Sequence, residues 1–287
     1  MRTLVIVPTY NERLTIERVI AGVQHVAKLR KLDLDIVVSD DSSTNGTAEL
    51  ARRAGAQVLL SASHVHKGHN YFTNIHRSLR WAYENGYDYA ILLDGDGQHD
   101  PENITRMLRT LEGGHNIVIA SRFGDTLRYQ MDPAKLIGRA IYQIAIRWLT
   151  GFHSDDPTSG CKGFDREALR RLTQVSSWKF LRDSAFIVWM EMEGLSVAEI
   201  PGRFYTTHFR DGMYSNRLMA VRVLISTLLS TLAIVRQPAS AMSCTLCGHW
   251  VEQPTRRFFA GQTSYGCNHC WRYFPSPWQL RMLHTAE

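Results

Sequence analysis

The segment Tyr89-Ala-Ile-Leu-Leu-Asp-Gly-Asp-Gly-Gln-His-Asp-Pro-Glu102 constrains this chain more than any other. It opens with an apolar run that reads as a buried strand, and Asp94, Gly95 and Asp96 follow at once. In an extended segment residues i, i+2 and i+4 share a face, so Asp94, Asp96 and Gln98 can turn three oxygen-bearing side chains toward one point. Gly95 and Gly97 let the backbone turn there and let a ligand come close. Hard oxygen ligands at a strand end suit Mg2+ or Mn2+, with phosphate oxygens completing the coordination. Aspartate and glycine are equally common in plain turns, so the motif by itself leaves both a metal site and a strand-ending turn open.

The chain has 287 residues, enough for one large α/β domain or a medium domain with an appendage. With 44% hydrophobic and 21% charged residues it has the balance of a folded globular protein, which excludes a disordered tail or a low-complexity scaffold. The apolar run Leu4–Val7 is too short for a secretion signal. No uninterrupted apolar stretch reaches the roughly 18 residues that cross a bilayer. The expected location is therefore cytoplasmic, or peripheral at a membrane. The formal charge of +6 falls to about +4 if four cysteines bind zinc as thiolates. A mildly basic chain suits an anionic ligand without demanding nucleic acid.

Strand and helix signals alternate from the N-terminus. Strands are expected at 3–9, 34–38, 58–60, 89–93 and 117–120. Helices are expected at about 15–29, 48–54, 74–85, 101–111 and 132–150, with the second capped by the Ser/Thr/Asn cluster ahead of it. This alternation implies a largely parallel sheet, and ligands of such sheets sit beyond the carboxyl ends of the strands. Acidic groups recur at those ends: Glu12 after the first strand, Asp40 and Asp41 after the second, Asp94 and Asp96 after the fourth.

Pro8-Thr-Tyr-Asn-Glu12, Asp40-Asp41-Ser-Ser-Thr-Asn-Gly-Thr47 and Asp94–Glu102 resemble the successive motifs of family-2 glycosyltransferases with the GT-A fold. The chain is most similar to the dolichol- and polyprenyl-phosphate sugar transferases. The resemblance continues through Ser121-Arg122, Asp156-Pro-Thr-Ser-Gly-Cys-Lys162 and Glu199-Ile-Pro201 to Arg210 and Arg217, covering about residues 1–217. It implies a GT-A α/β domain that moves a sugar from a nucleoside-diphosphate donor with inversion. Pro8, Tyr10, Glu12, Ser39 and Asp41 would frame the base and ribose. Asp94, Asp96 and Gln98 would hold the catalytic metal, and Arg122, Arg210 and Arg217 would meet the diphosphate or the acceptor's charge. Divalent ions and arginines suit that task because they neutralise charge on a departing diphosphate.

Two departures bear on the acceptor. Where the family's acceptor-side loop is glycine-rich, this chain reads Lys67-Gly-His-Asn-Tyr-Phe-Thr-Asn74, which makes His69 and Asn70 acceptor candidates. The 287 residues also hold no stretch able to serve as the family's membrane anchors. Lys162 is either an acceptor-phosphate contact or an ordinary loop lysine. Asp183 is either a general base for a hydroxyl acceptor or a helix cap. Cys161 is expected to pack rather than react.

Residues 218–236 form an expected amphipathic helix, with Val221, Leu224, Ile225, Leu228, Leu229, Leu232 and Val235 on one face. It lies either on a membrane surface or against protein. A linker, 237–243, leads to a second module at 244–275 and a tail at 276–287. Cys244, Cys247, Cys267 and Cys270 form two Cys-x-x-Cys pairs nineteen residues apart, the spacing of a zinc ribbon whose closed four-thiolate site is structural. Arg256, Arg257, Phe258 and Phe259 between the knuckles suit docking to nucleic acid, protein or the catalytic domain.

The expected function is metal-dependent glycosyl transfer to a polyprenyl or dolichyl phosphate. Two alternatives stay open: transfer to a nucleic-acid or other hydroxyl acceptor docked by the ribbon, and an inactive transferase-like binding protein.

Overall fold

The computed structural model describes residues 1–61, 71–123, 133–151, 153–173, 185–192 and 194–205, and four short strands between 242 and 266. The sheet is built on β1 (Thr3–Thr9), which is buried along its whole length. Its unbroken run Leu4-Val-Ile-Val7 is that of a strand covered on both faces. It pairs in parallel with β2 (Leu34–Asp40) on one side and β4 (Tyr89–Leu92) on the other. Further strands are β3 (Gln57–Leu60), β5 (Ile117–Ser121), β6 (Lys162–Asp165) and β7 (Val197–Pro201). The order across this seven-stranded sheet is β3-β2-β1-β4-β6-β5-β7.

Side chains alternate along the strands, so Leu4 and Ile6 enter one core while Val5 and Val7 enter the other. The first core is closed by α3 (Tyr71–Glu84), α5 (Pro133–Thr150), α6 (Arg166–Thr173) and α7 (Ala185–Met192). The second is closed by α1 (Ile16–Arg30), α2 (Thr47–Arg53) and α4 (Asn103–Glu112). In α1 the buried residues Ile16, Val19, Ile20, Val23 and Val26 follow the helical repeat, and the helix stops where Lys31 turns left-handed at φ 53°. The result is a three-layer α/β/α sandwich whose parallel strands carry their carboxyl ends to one edge.

Three local expectations are corrected. Residues 162–165 are a strand, β6, antiparallel to both β4 and β5, so the sheet is mixed and Lys162 is a strand residue rather than a loop lysine. Gly163 permits this, because a Cβ there would sit 2.9 Å from Ile91 Cδ1 and 3.2 Å from Leu111 and Met107. Tyr71 to Asn74, assigned above to an acceptor-side loop, belong to α3. The N-cap position of α2 is Gly46 at φ 86° rather than a member of the Ser/Thr/Asn cluster, and Asn45 serves the helix start from one residue further out, accepting from the Thr47 hydroxyl at 2.6 Å and the Thr47 N–H at 3.3 Å.

Among the described residues no helix is long and apolar enough to cross a membrane. His69, Asn70, Asp183, Arg210, Arg217, the 218–236 segment and the four paired cysteines lie outside the described residues. The strands β8 (Met242–Ser243) and β9 (Trp250–Val251) pair antiparallel, as do β10 (Thr255–Phe259) and β11 (Gln262–Gly266).

Candidate active site

The first two strand-end loops are stitched together. Thr9 and Asp40 are partners in the β1–β2 register, and the Thr9 hydroxyl donates to Asp40 Oδ2 at 3.1 Å. The other Asp40 oxygen accepts the Ser43 N–H at 2.8 Å. Asp40 thus commits both oxygens to the loop. Asn11 and Ser42 both sit at φ 60°, an uncommon conformation for residues with a Cβ. Asn11 is held there across the loops: its N–H donates to Ser43 Oγ at 2.8 Å, and its Oδ1 accepts from Thr44 N–H at 3.0 Å. Pro8, Glu12, Ser39 and Asp41 are buried around this junction, and Tyr10 is half-buried beside them. Ser39 donates to Asn74 O at 3.4 Å, tying β2 to α3.

The third loop joins the first through Thr15, whose hydroxyl donates to Gly95 O at 2.7 Å and reaches Glu12 Oε2 at 3.4 Å. Gly95 is demanded by this closeness: a Cβ there would stand 2.6 Å from Thr9 Cγ2. Asp96 Oδ1 accepts the Gln98 N–H at 2.9 Å, which closes the Asp-Gly-Gln turn. Burial, and after it the neighbouring Asp94 charge, push the Asp96 carboxyl above its ordinary value, against the opposing pull of His99 and the Gln98 N–H. Two close, partly desolvated carboxylates are a poor arrangement without a counter-charge. A divalent cation removes that penalty, so the donor set fits hard-metal chemistry. Among the described residues no group of three His, Cys, Asp or Glu side chains converges, so two aspartates and an amide would leave most positions to substrate oxygens.

His99 was not singled out from the sequence. Its Nδ1 accepts the Asp94 N–H at 3.0 Å, which puts the proton of a neutral ring on Nε2, 3.5 Å from Asp94 Oδ2. The ring is buried and meets Phe204 edge-on, with centroids 5.2 Å apart. Residues 203–205 bracket the loop further. Tyr205 N–H donates to Gln98 O at 2.7 Å, Tyr205 hydroxyl to Asp100 Oδ2 at 2.6 Å, and Asp100 N–H to Arg203 O at 3.1 Å. Asn103 exchanges two bonds with the Arg203 backbone, each 2.9 Å.

Arg122 follows β5 and is not an uncommitted cation. Its Nε and Nη2 donate to the two oxygens of Asp156 at 2.7 and 2.6 Å, and Nη2 also donates to Thr158 Oγ1 at 2.9 Å. Asp156 is fully buried, so the pair is a fixed, internally neutral unit. Asp156 lies in a quoted motif, yet its pairing with Arg122 is not visible in the spacing. Lys162 is buried and donates to Ser159 O, which anchors the same turn. Cys161 packs at 3.6 Å from Met107 Sδ, and burial pushes its thiol well up, so it stays protonated and unreactive at neutral pH. At Gly160 a Cβ would overlap the Asp94 carboxylate, so the turn carrying Asp156 is pressed against the Asp94 loop.

Three strand ends therefore bring Glu12, Asp41, Asp94, Asp96 and Gln98 to one edge, with the Arg122–Asp156 pair on the neighbouring strand. Comparison with known proteins fits this arrangement. The model of the glycosyl transferase family 2 matches residues 4–173. The polyprenol monophosphomannose synthase of Mycolicibacterium smegmatis is 31% identical over 216 residues, 71% of this chain and 77% of that one. The undecaprenyl-phosphate mannosyltransferase of Micrococcus luteus is 26% identical over 185 residues, 60% of this chain and 70% of that one. Glucosyl-3-phosphoglycerate synthase from Mycobacterium tuberculosis, solved with Mn2+ and UDP-glucose, superposes with a TM-score of 0.59. That match has 20% identity and spans 84% of this chain and 82% of that chain, a likeness in fold alone. With the family model covering more than half its length, the chain belongs to glycosyl transferase family 2 and is a glycosyltransferase.

Proposed function

We propose that the protein transfers a sugar from a nucleoside-diphosphate donor to a polyprenyl phosphate, with inversion at the anomeric carbon. The observation that carries this is the joined strand-end edge, where Asp94 and Asp96 meet the Glu12 and Asp41 loops in a chain 31% identical to a polyprenol monophosphomannose synthase. Asp41, Glu12 and Ser39, with Pro8 and Tyr10, line the side suited to base and ribose, where carboxylates accept from ring N–H and hydroxyl groups. Asp94, Asp96 and Gln98 would hold Mg2+ or Mn2+; once bound, such an ion neutralises charge on the departing diphosphate.

An oxygen of the acceptor phosphate attacks the anomeric carbon as the bond to the diphosphate breaks. That oxygen is already anionic, so the chain needs no strong base, and Asp183 is not required for the chemistry. Arg122, held rigid by Asp156, offers a fixed donor edge rather than a loose charge; Arg210 and Arg217 remain assigned to phosphate contacts, whereas buried Lys162 serves the turn through Ser159 O. We also propose that Cys244, Cys247, Cys267 and Cys270 hold one structural zinc. Their spacing supports it, and the hairpin β10–β11 lies between the two pairs.

The test is transfer from a panel of labelled nucleotide sugars, with Mn2+, to a short-chain polyprenyl phosphate. Label should enter the lipid. Asp96→Ala should cost on the order of 10²–10³-fold or more in rate, and it should also remove the Mn2+-dependent thermal stabilisation by the nucleoside diphosphate. Full activity in EDTA would end the metal assignment. Label passing only to a hydroxyl acceptor, with Asp183→Asn then slowing the rate 10²–10⁴-fold by order of magnitude, would replace the lipid.

A further inference from the structure

The loop from Asp94 to Gln98 sets glycines at 95 and 97 between its three oxygen-bearing side chains. Glycine loses more freedom than any other residue when its backbone is fixed, so a loop of this kind needs outside fastening to hold one geometry. The carboxylates add to that need, because the Asp94 charge works against ionisation of Asp96.

The fastening comes from residues just past the end of β7. Gly202 N–H donates to Ser121 O at 2.9 Å, and a Cβ at Gly202 would stand 2.5 Å from Phe204 Cε2 and 3.0 Å from Ala120 Cβ. The missing side chain lets the Phe204 ring fold back toward the loop. Phe204 forms an isolated antiparallel bridge with His99 and meets its ring edge-on. His99 in turn faces Asp94 twice, with Nδ1 on the backbone N–H at 3.0 Å and Nε2 3.5 Å from Oδ2. Tyr205 serves the other end of the loop. Its N–H donates to Gln98 O at 2.7 Å and its hydroxyl to Asp100 Oδ2 at 2.6 Å, while Asp100 Oδ1 accepts the Glu102 N–H at 2.9 Å. Gln98 N–H closes the set on Asp96 Oδ1.

Packing alone does not explain His99. Its side chain is 6% exposed and Phe204 is 5% exposed. An apolar residue would fill that space without the cost of taking an imidazole out of water. Both ring nitrogens are instead turned to Asp94, the arrangement of a group that orients its neighbour.

We propose that His99 is a positioning residue for the metal, fixing Asp94 at its main chain and its carboxylate, and that Phe204 and Tyr205 fix His99 and Gln98 in turn. The ligands are then presented in one geometry before the ion arrives. This rests on the assignment of the metal to Asp94, Asp96 and Gln98 above, and Asp96→Ala is the control that separates the two.

The experiment is titration of the full-length protein with Mn2+ alone, followed by EPR. His99→Leu fills a similar volume but offers no acceptor to the Asp94 N–H, and it should weaken binding about 10–100-fold. His99→Asn places an amide oxygen where Nδ1 stands and should recover most of that loss. Tyr205→Phe removes a single hydrogen bond at a partly exposed side chain and should cost up to about tenfold. In transfer assays the Mn2+ concentration at half-saturation should rise with the loss of affinity in His99→Leu, so that added Mn2+ recovers rate. Amide exchange in EDTA should quicken over residues 94–98 in His99→Leu and stay unchanged in β4 and α4. Wild-type Mn2+ affinity in His99→Leu, with the ion lost in Asp96→Ala, would overturn this proposal and leave the metal assignment standing. A fall in affinity that accompanies a global fall in Tm and is not recovered by His99→Asn would make the contact structural, and would overturn it too. Undiminished Mn2+ binding in Asp96→Ala would remove the metal assignment and this proposal with it.

Discussion

Gly160 governs where the Asp94 carboxylate can lie. Its missing Cβ leaves the space that the Asp94 carboxylate occupies, while His99 holds Asp94 from the other side through its backbone N–H. Gly160→Ala should turn Asp94 aside and weaken Mn2+ binding by about 10–100-fold, as loss of outer support commonly does. A Mn2+ titration followed by EPR measures this directly, and an unchanged affinity would show that Asp94 is not a ligand. A second residue sets a pH dependence. Burial pushes the Glu191 carboxyl on α7 up to about 7 from its ordinary 4.5, and its Oε2 has no hydrogen-bond partner among the described residues. Between those values the unfolded chain ionises while the folded one keeps its proton. Stability therefore falls as pH rises through that window and stays lower above it. Glu191→Gln should raise Tm at pH 8, by about 1 kcal/mol of stability after screening, and leave it unchanged near pH 4.

At the scale of elements, the end of β5 is fastened by segments distant in the chain. Glu199 on β7 accepts from Ser154 Oγ at 2.6 Å and Asp155 N–H at 2.8 Å, α5 holds the same residues, and Asp156 then locks Arg122. Asp156→Asn keeps the shape but leaves the guanidinium without its buried counter-charge, a change that costs about 3–5 kcal/mol. Calorimetry should show Tm lower by roughly 6–20 °C at 2–4 °C per kcal/mol. Arg122→Met/Asp156→Leu should recover much of that stability, because an apolar pair of similar volume replaces a buried ion pair with little loss, yet it should remain inactive. A double variant with wild-type activity would show that the pair serves the fold alone.

At the scale of the molecule, the GT-A domain and the cysteine module meet different physical demands. The domain buries two cores, one on each face of its sheet. Some thirty residues around paired cysteines cannot bury enough apolar surface to fold unaided, and the zinc proposed for them would supply the missing stability. Elemental analysis should find about one zinc per chain. Cys247→Ser should lose it and open the 237–243 linker to protease while leaving the transfer domain's own unfolding transition in place. A metal-free protein equally resistant to protease would refute the zinc.

Periodicity and strand-end chemistry were legible without coordinates because both follow from local covalent geometry. The unbroken apolar run Leu4-Val-Ile-Val7 marks β1, the repeat from Ile16 to Val26 marks α1, and Asp94 and Asp96 stand just past the end of β4 as the sequence places them. What needed the tertiary structure is whatever depends on partners brought together by chain closure. Lys162-Gly-Phe-Asp165 has no strand pattern of its own and becomes β6 only because β4 and β5 present open edges to it. Arg122 finds Asp156 across 34 residues, and Tyr205 finds Asp100 across 105. On α5 the sequence determined a helix with apolar residues on more than one face. Only the packed structure decided that Tyr142 and Ile146 are covered while Ile144 and Trp148 are not, because burial is a property of neighbours and not of the residue.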